Sequence, residues 1–211
     1  MSDYPELSLH YSPGTVAVTV ALAAHELGIP LNLVRVNFAS GAQMQDAFLA
    51  VNPKGRVPAL VTPQGVLTEV GAILDYLARL NPDADFVPRD AFEAAQMRSV
   101  LYYLASTMHV NHAHKLRGSR WADLEASFAD MTAKVPETMS ACCAYLEADV
   151  VQGPFVLGDA MSLADPYLFV VCTWLKGDGV DIADYPKLAA HFEAFGARAS
   201  VAAMREAGVL A

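Results

Sequence analysis

Cysteine is scarce in this sequence, with three residues in 211, and none of them precedes Cys142. Cys142 and Cys143 are adjacent, and adjacent residues of a helix point in different directions. They therefore form neither a redox CxxC motif nor a pair of metal ligands. All three cysteines, including Cys172, fall in apolar stretches with helical spacing. We expect inert thiols in the core and no catalysis by cysteine.

Basic residues are also few: 14 Lys and Arg stand against 23 Asp and Glu, which gives a formal net charge of -9. This balance argues against nucleic acid or an anionic membrane as the main partner, because both are bound through a basic face. One basic cluster, HKLRGSRW, ends a predicted helix, where such clusters are usually solvated. It does not indicate nucleic-acid binding.

Long hydrophobic runs are missing as well. The longest candidate, PYLFVVCTWL, ends before Lys176, short of the roughly 20 residues that span a bilayer. The first residues, MSDYPEL, carry neither the basic flank nor the apolar core of a signal peptide. We therefore expect a cytoplasmic protein with no membrane partner.

Apolar material is plentiful: 54% of residues are hydrophobic and 18% are charged, which excludes a disordered chain. The first 80 residues alternate between strand and helix patterns. Strands are predicted at LSLHY, LNLVRVNF, VPALVT and GVLT, and helices at 16–27, at QMQDAFLAVN and from Glu69 to Leu80. The order β-α-β-α-β-β-α predicts a small α/β sheet of the thioredoxin type.

The remainder of the chain is predicted to be helical. NPDADFVP, residues 81–88, is rich in Pro and Asp and marks a break between domains. We expect an α/β domain at 1–81, a linker at 82–88 and an all-α domain at 89–211. In the second domain, SLAD (Ser162 to Asp165) is a capping box with Asp in place of the usual Glu or Gln, and a later helix begins at Pro186.

Three motifs in order, NPKGRVPAL, LTEVGAILDYL and GDAMSLADPYLF, make essentially the whole chain resemble the cytosolic glutathione transferases. The opening YSPG, together with NPKG and VPAL, looks most like the bacterial Beta class. The resemblance implies glutathione as co-substrate, a small apolar electrophile as second substrate and no metal. It also implies a homodimer with a cleft between the two domains.

Glutathione has a peptide backbone and a glycyl carboxylate, and the resemblance assigns residues to both. In this family the residue before a cis proline pairs with the cysteinyl backbone, which indicates Val57 and a cis bond to Pro58. The glycyl carboxylate needs a cation, for which Arg35 and Arg56 are the candidates. A solvated surface arginine is the alternative for either.

The γ-glutamyl end of glutathione carries an ammonium and a carboxylate together. In TEVG, the Glu69 side chain suits the ammonium, and the amides of Val70 and Gly71 at a helix start suit the carboxylate. Val70 departs from the Ser, Ala or Gly that usually follows the acid, which changes a side chain but spares the backbone donors. The alternative is that Glu69 only stabilises its own helix.

The glutathione thiol, with a free pKa of about 8.5, must become a thiolate to attack an electrophile. The Beta-class cysteine position falls on Val16, which can neither form a mixed disulfide nor donate a hydrogen bond. The remaining candidates are the hydroxyls of Tyr11, Ser12 and Thr15 and the first-turn amides, acting with the helix dipole. Alternatively, Ser12 and Thr15 only shape the turn and cap the helix, and Tyr11 faces the core.

In this family the helical domain supplies the electrophile pocket. His109 falls where Beta-class proteins carry a site histidine, and Tyr102 replaces an asparagine that reaches the neighbouring subunit's glutathione. Tyr167 and Trp174, seven residues apart on one helix face, form either an apolar wall or part of the core. His109 and His112 share a helix face without a nearby carboxylate, so no metal site is expected.

These residues predict a glutathione transferase that attacks a hydrophobic electrophile through a non-covalently stabilised thiolate. A glutathione-dependent peroxidase, isomerase or dehalogenase would use the same thiolate, because few and variable side chains set the acceptor. Because Val16 and Tyr102 differ from the residues of the family, a second class of protein stays possible. That class is a glutathione-binding or regulatory module of the same fold without catalysis.

Overall fold

The computed structural model of the chain describes residues 4–210. Residues 1–3, part of the N-terminal segment MSDYPEL, and residue 211 lie outside the described residues. The described chain divides into two compact units, residues 4–89 with 197–210, and residues 90–196. The predicted boundaries, with domains at 1–81 and 89–211 and a linker at 82–88, stay a prediction. No helix in residues 4–210 is long and apolar enough to cross a membrane.

The first unit contains a four-stranded mixed sheet. Its strands are β1 (Ser8–Tyr11), β2 (Asn32–Arg35), β3 (Ala59–Thr62) and β4 (Gly65–Thr68). The strand order is β2-β1-β3-β4, with β1 and β2 parallel and the other neighbours antiparallel. Its helices in this segment are α1 (Val18–Glu26), α2 (Asp46–Leu49) and α3 (Val70–Leu80). The predicted order and thioredoxin-like fold are confirmed.

Apolar side chains of α1 and α3 form much of the core of this unit. Every residue of α1 from Val18 to Ala24 is buried, as expected for a helix that is apolar on all sides. α3 is amphipathic, and Ile73, Leu74 and Leu77 are fully buried. Gly28, just after α1, has a φ of 67°, which glycine adopts without the penalty of a Cβ atom.

The second unit is helical, as predicted. Its helices are α4 (Ala91–Tyr103), α5 (His109–Ala113), α6 (Glu125–Tyr145), α7 (Ala164–Cys172) and α8 (Pro186–Gly196). A π-helical turn, Leu104–Met108, joins α4 directly to α5, and a second one, Leu146–Val150, extends α6. Such turns change the helical phase and are frequent at functional sites. The first π-helical turn ends immediately before His109.

The capping box at the start of α7 is confirmed. The Asp165 Oδ2 atom accepts the Ser162 N–H at 2.7 Å and the Ser162 hydroxyl at 2.9 Å, while Ser162 Oγ accepts the Ala164 N–H at 3.3 Å. Asp165 Oδ1 accepts the Val156 N–H at 2.7 Å and lies 3.1 Å from His191 Nε2. Both side chains of this last pair are fully buried, so the carboxylate organises the loop before α7 as well as the helix.

Helix α9 (Ala199–Glu206) follows the second unit in the chain and belongs to the first. The Glu26 carboxylate, at the end of α1, accepts hydrogen bonds from Arg198 Nε at 2.7 Å, Arg198 Nη2 at 2.6 Å and Ser200 Oγ at 2.5 Å. Burial works to raise the pKa of Glu26, but these hydrogen bonds and the charge of Arg198 lower the pKa below its ordinary value. The ionised carboxylate therefore ties α9 to α1.

Candidate functional site

Four candidate segments of the first unit meet at one edge of the sheet. β1 and β2 are parallel, and Tyr11 lies opposite Arg35 at their carboxyl ends. β3 runs antiparallel to β1, so Val57, just before β3, lies at the same edge. β4 runs antiparallel to β3 and ends at this edge with Thr68, so Glu69 follows there. Ligands of open α/β sheets usually bind outside the carboxyl ends of parallel strands.

The Thr15 hydroxyl makes a hydrogen bond within the turn between β1 and α1. Thr15 Oγ1 donates to the Ser12 carbonyl at 2.7 Å, and the Thr15 N–H reaches the same carbonyl at 3.3 Å. This geometry favours the alternative in which Thr15 shapes the turn. The Ser12 side chain is buried, and its hydroxyl has no hydrogen-bond partner among residues 4–210. Tyr11 is also buried, which agrees with a core position for its ring.

Backbone donors at the same turn are unpaired. The N–H groups from Val18 onward bond to carbonyls of the turn, beginning with the Val18 N–H and the Thr15 carbonyl at 3.0 Å. The N–H groups of Val16 and Ala17 have no acceptor in the described part of the chain. Two amides and the Ser12 hydroxyl are therefore available to a negatively charged atom at the N-terminus of α1.

The predicted cis bond between Val57 and Pro58 is present. Asn52, a buried residue that the sequence analysis missed, supports this loop: its Nδ2 atom donates to the Arg56 carbonyl at 2.6 Å, and its Oδ1 atom accepts the Lys54 N–H at 3.2 Å. Val57 itself makes no backbone hydrogen bond within residues 4–210. Its N–H and C=O are therefore free for a ligand that pairs as an added strand.

Glu69 begins α3 with an unusual backbone. Its φ of 70° is uncommon for a residue with a Cβ atom, and such outliers concentrate at functional sites. The Ile73 N–H bonds to the Glu69 carbonyl at 3.0 Å, so the amides of Val70 and Gly71 precede the first helical hydrogen bond. The exposed Glu69 carboxylate and the N-terminus of α3 thus stand side by side.

Lys54 is a second residue that the sequence analysis missed. Its ammonium donates to the Glu69 carboxylate and, at 2.7 Å, to Thr68 Oγ1. The signal was a lysine within the NPKG motif, fifteen residues before Glu69. Arg35 and Arg56 are exposed, and neither side chain has an ion-pair partner in the described residues. The sheet edge therefore carries the Glu69 carboxylate together with the cationic side chains of Lys54, Arg35 and Arg56.

The second unit brings predicted site residues into ring contact. The His109 ring centroid lies 5.2 Å from that of Trp174, and the His112 ring stacks on Trp174 at 4.3 Å with an interplanar angle of 19°. Both histidines and Trp174 are partly exposed. Tyr167 is 1% exposed, which favours its position in the core, whereas Tyr102 is 65% exposed.

The expectation that no carboxylate lies near the His109–His112 face is wrong. Asp178 Oδ2 lies 2.6 Å from His112 Nδ1, although the two residues are 66 positions apart in the chain. Local spacing could not reveal this pair, because the fold returns the segment after α7 to α5. Within residues 4–210, no group of three His, Cys, Asp or Glu side chains is arranged to hold a metal ion.

All three cysteines are free thiols in buried positions, as predicted. Burial, together with the neighbouring Cys142, raises the pKa of Cys143 to about 12. Burial and Cys143 also raise the pKa of Cys172. Because the thiolate is the nucleophile, thiols held in the protonated form are inert.

A thioredoxin-type unit and a helical unit, arranged in this order, form the two-part fold of glutathione-dependent transferases. The model of the glutathione S-transferase N-terminal domain matches residues 7–79, and a model of the glutathione S-transferase C-terminal domain matches residues 125–194. These matches include the turn before α1, the Val57–Pro58 bond, Glu69 and Trp174.

The relatives agree with this class. A solved glutathione transferase homologue from Sulfitobacter, with bound glutathione, is 57% identical and has a TM-score of 0.96. The match covers 98% of this chain and 100% of the homologue. A bacterial beta class glutathione S-transferase from Sphingomonas chungbukensis is 30% identical, with a TM-score of 0.82 and coverage of 95% of this chain and 98% of that one. A maleylpyruvate isomerase from a Ralstonia species is 28% identical over 80% of this chain and 82% of its own length. The chain belongs to the glutathione S-transferase family and is a glutathione transferase.

Proposed function

We propose that this transferase conjugates reduced glutathione to a hydrophobic electrophile through a thiolate that it stabilises without a cysteine of its own. The turn before α1 carries the proposal. The resemblance to the Beta class puts Val16 at the cysteine position, and the turn keeps donors without a partner in residues 4–210, namely the Ser12 hydroxyl and the Val16 and Ala17 amides. Hydrogen bonds to the charged form of a group favour that form, and the dipole of α1 acts in the same direction.

In the proposed reaction the thiol first loses its proton to solvent. A sulfur lone pair then attacks the electrophilic carbon, a carbon–sulfur bond forms, and the leaving group departs with its bonding electrons. The protein contributes a larger thiolate fraction and a fixed orientation. Lowering the thiol pKa from about 8.5 to about 6.5 would raise the thiolate fraction at pH 7 from a few per cent to about three quarters.

The sheet edge offers a complementary group for each remaining part of glutathione. The free backbone groups of Val57 suit the cysteinyl backbone. The Glu69 carboxylate suits the γ-glutamyl ammonium, while the α3 amides and Lys54 suit the γ-glutamyl carboxylate. Arg35 or Arg56, both exposed, would bind the glycyl carboxylate. The glutathione bound to the Sulfitobacter homologue supports this ligand.

The electrophile is assigned to the helical unit. His109 and Trp174 are in ring contact and partly exposed, so together they offer an aromatic surface with one polar edge. Tyr102 adds an exposed aromatic side chain, and the buried Tyr167 would support the surface from the core. An electrophile with an apolar body suits such a surface, which is consistent with a role in detoxification.

Isomerisation is the second candidate function. A maleylpyruvate isomerase is among the relatives, and an isomerase would use the same thiolate as a reversible nucleophile. A module that binds glutathione without catalysis is the other alternative, and it would share every contact at the sheet edge. These alternatives differ from conjugation in product formation, so they can be separated by experiment.

We also propose a homodimer in the cytoplasm. Several large apolar side chains are exposed on the single chain: Met44, Val66, Phe92, Tyr102, Leu116, Trp121, Leu124 and Tyr145. Exposed apolar groups of this size favour association when they form a continuous patch. The three free thiols are compatible with a reducing compartment.

Conjugation of a general aryl halide by wild type, Ser12→Ala and Thr15→Val tests the proposed function. Loss of one donor to the thiolate should lower kcat/KM of Ser12→Ala about tenfold when the assay is run about one unit below the thiol pKa of the wild-type complex, because the thiolate fraction there falls about tenfold for a pKa rise of about one unit. Thr15→Val should stay within about threefold, since the Thr15 hydroxyl is used inside the turn. A wild-type rate at background despite measurable glutathione binding would contradict conjugation. Full rates in both variants would leave the backbone amides and the Tyr11 hydroxyl as the candidate donors.

A further inference from the structure

A buried carboxylate in the second unit is connected to the proposed electrophile surface. The Asp178 side chain is 0% exposed, and its Oδ2 atom lies 2.6 Å from Nδ1 of His112, whose side chain is 29% exposed. This separation is in the range of a strong hydrogen bond, so the Nδ1 proton of His112 points to Asp178. The carboxylate thereby fixes both the orientation of the imidazole and the tautomer of its neutral form.

The imidazole in turn packs on Trp174. The two rings are stacked at 4.3 Å, and the other histidine of this face, His109, contacts the same indole at 5.2 Å and 51°. Aromatic pairs of this geometry contribute energy beyond the area that they bury. The position of the indole therefore depends on the histidine that Asp178 orients.

A backbone hydrogen bond closes the arrangement. The Asp178 N–H donates to the Trp174 carbonyl at 3.0 Å and to the Leu175 carbonyl at 2.9 Å. Trp174, Asp178 and His112 thus form a ring of three contacts, one through the backbone, one through the carboxylate and one through the aromatic faces. A closed ring of contacts restricts the Trp174 rotamer more than any single contact does.

Lys115 completes the electrostatic surroundings. Its ammonium lies 3.5 Å from Asp178 Oδ1 and donates to the Gly177 carbonyl. A fully buried carboxylate requires compensating partners, because removal of a charge from water is costly. Lys115 offers Oδ1 a charge contact at 3.5 Å without a hydrogen bond, whereas His112 lies 2.6 Å from Oδ2 and also stacks on the indole of Trp174.

From these contacts we propose that Asp178 and His112 are positioning residues that hold Trp174, with His109 beside it, in the orientation that receives the electrophile. The inference rests on the proposed function, because that function assigns the electrophile to Trp174 and His109. It adds two residues whose role is indirect. Asp178 and His112 act on the rate through the geometry of the aromatic surface.

Two substitutions of His112 separate its hydrogen bond to Asp178 from its stacking on Trp174. His112→Asn places an amide donor near the Nδ1 position and keeps the bond to Asp178, but it removes the ring stacked on Trp174. His112→Phe keeps an aromatic face and removes the donor. If both contacts are needed, each variant should raise the KM for the electrophile about fivefold, with the KM for glutathione changed less than about twofold.

Fluorescence gives a readout that does not depend on catalysis. The chain has two tryptophans, Trp121 and Trp174, so Trp121→Phe leaves Trp174 as the only reporter. In this background, release of the indole should increase collisional quenching by acrylamide about twofold in both His112 variants. His114→Asn is the matched control, because the His114 ring contacts Trp121 at 4.5 Å instead of Trp174. The control should change neither the electrophile KM nor the quenching.

The outcomes are separable. Unchanged quenching and unchanged electrophile KM in both His112 variants would overturn the proposal, whatever their thermal stability, since the pair would then be structural only. If His112→Phe fails to fold because Asp178 loses its donor, the single variant Asp178→Asn takes its place, since it leaves no buried charge at position 178. It is then compared with the single variant His112→Asn as before. If the wild type conjugates no electrophile, the proposed function fails, and quenching still decides whether the pair holds Trp174.

Discussion

At the residue scale, the chemistry depends on which groups around Val16 can donate a hydrogen bond to sulfur. The Val16 side chain cannot, but its backbone N–H can, and the Ala17 N–H and Ser12 hydroxyl are also unpaired in the described chain. Backbone donors do not depend on side-chain identity. A thiolate site is therefore compatible with a valine at the position where the resemblance to the Beta class predicts a cysteine.

Glu69 provides the sharpest residue-scale test of glutathione binding. Glu69→Gln removes the negative charge proposed for the γ-glutamyl ammonium, so we expect the dissociation constant of glutathione to rise about tenfold or more. Isothermal titration calorimetry measures the change. Asp46→Asn, which removes an exposed carboxylate from the first turn of α2, is the control and should leave affinity unchanged. Equal affinities for Glu69→Gln and wild type would remove Glu69 from the site.

At the element scale, the Glu26 carboxylate holds two helices together. It accepts three hydrogen bonds from the start of α9 while belonging to the end of α1. Glu26→Gln should lower the free energy of unfolding by about 2 kcal/mol at neutral pH. This value is at the low end for charged hydrogen bonds because Arg198 is 35% exposed and solvent screens part of its charge. Urea denaturation measures the difference.

The difference in free energy of unfolding between wild type and Glu26→Gln should depend on pH in a defined direction. The folded-state pKa of Glu26 lies below its ordinary value of 4.5, so the ionised form is stabilised by folding. The stabilisation is fully present above about pH 4.5 and is lost as the pH falls through the folded-state pKa. Wild type and Glu26→Gln should therefore differ most near neutral pH and converge in acid. A difference that grows with acidity would contradict the account.

The elements predicted from local sequence patterns agree with the structure. Features that depend on long-range contacts could not be predicted from the sequence. Strand alternation, the SLAD capping box and the helix from Pro186 were predictable, since each depends on neighbours within about one turn. The reduction of the predicted helix QMQDAFLAVN to the four-residue α2 and the π-helical turn before His109 were not. Periodicity cannot show where a helix changes phase, because packing against other helices decides it.

At the scale of the whole molecule, the candidate site was predictable only in part. The motifs located Val57, Pro58 and Glu69 because they are short and contiguous. The Lys54–Glu69 pair and the His112–Asp178 pair join residues 15 and 66 positions apart, and such partners are set by topology. The hydrogen bond from Thr15 to Ser12 is local, but the direction of a hydroxyl proton cannot be read from residue types.

The proposed homodimer is a prediction about the native mass. We expect light scattering at micromolar concentration to give twice the chain mass of 22.6 kDa, because large apolar side chains exposed on the single chain favour burial against a second copy. A fixed mass of one chain across the concentration range would contradict the dimer. That result would leave the sheet-edge contacts unaffected, as they lie within one chain.

The central claim is that this protein activates the glutathione thiol without a cysteine of its own. The most direct measurement is a pH titration of the thiolate absorbance of glutathione in the binary complex, with oxidised glutathione as the control that carries no thiol. We predict a thiol pKa at least about one unit below the free value of about 8.5, with the shift reduced in Ser12→Ala. A bound glutathione thiol that titrates at its free value would contradict the claim.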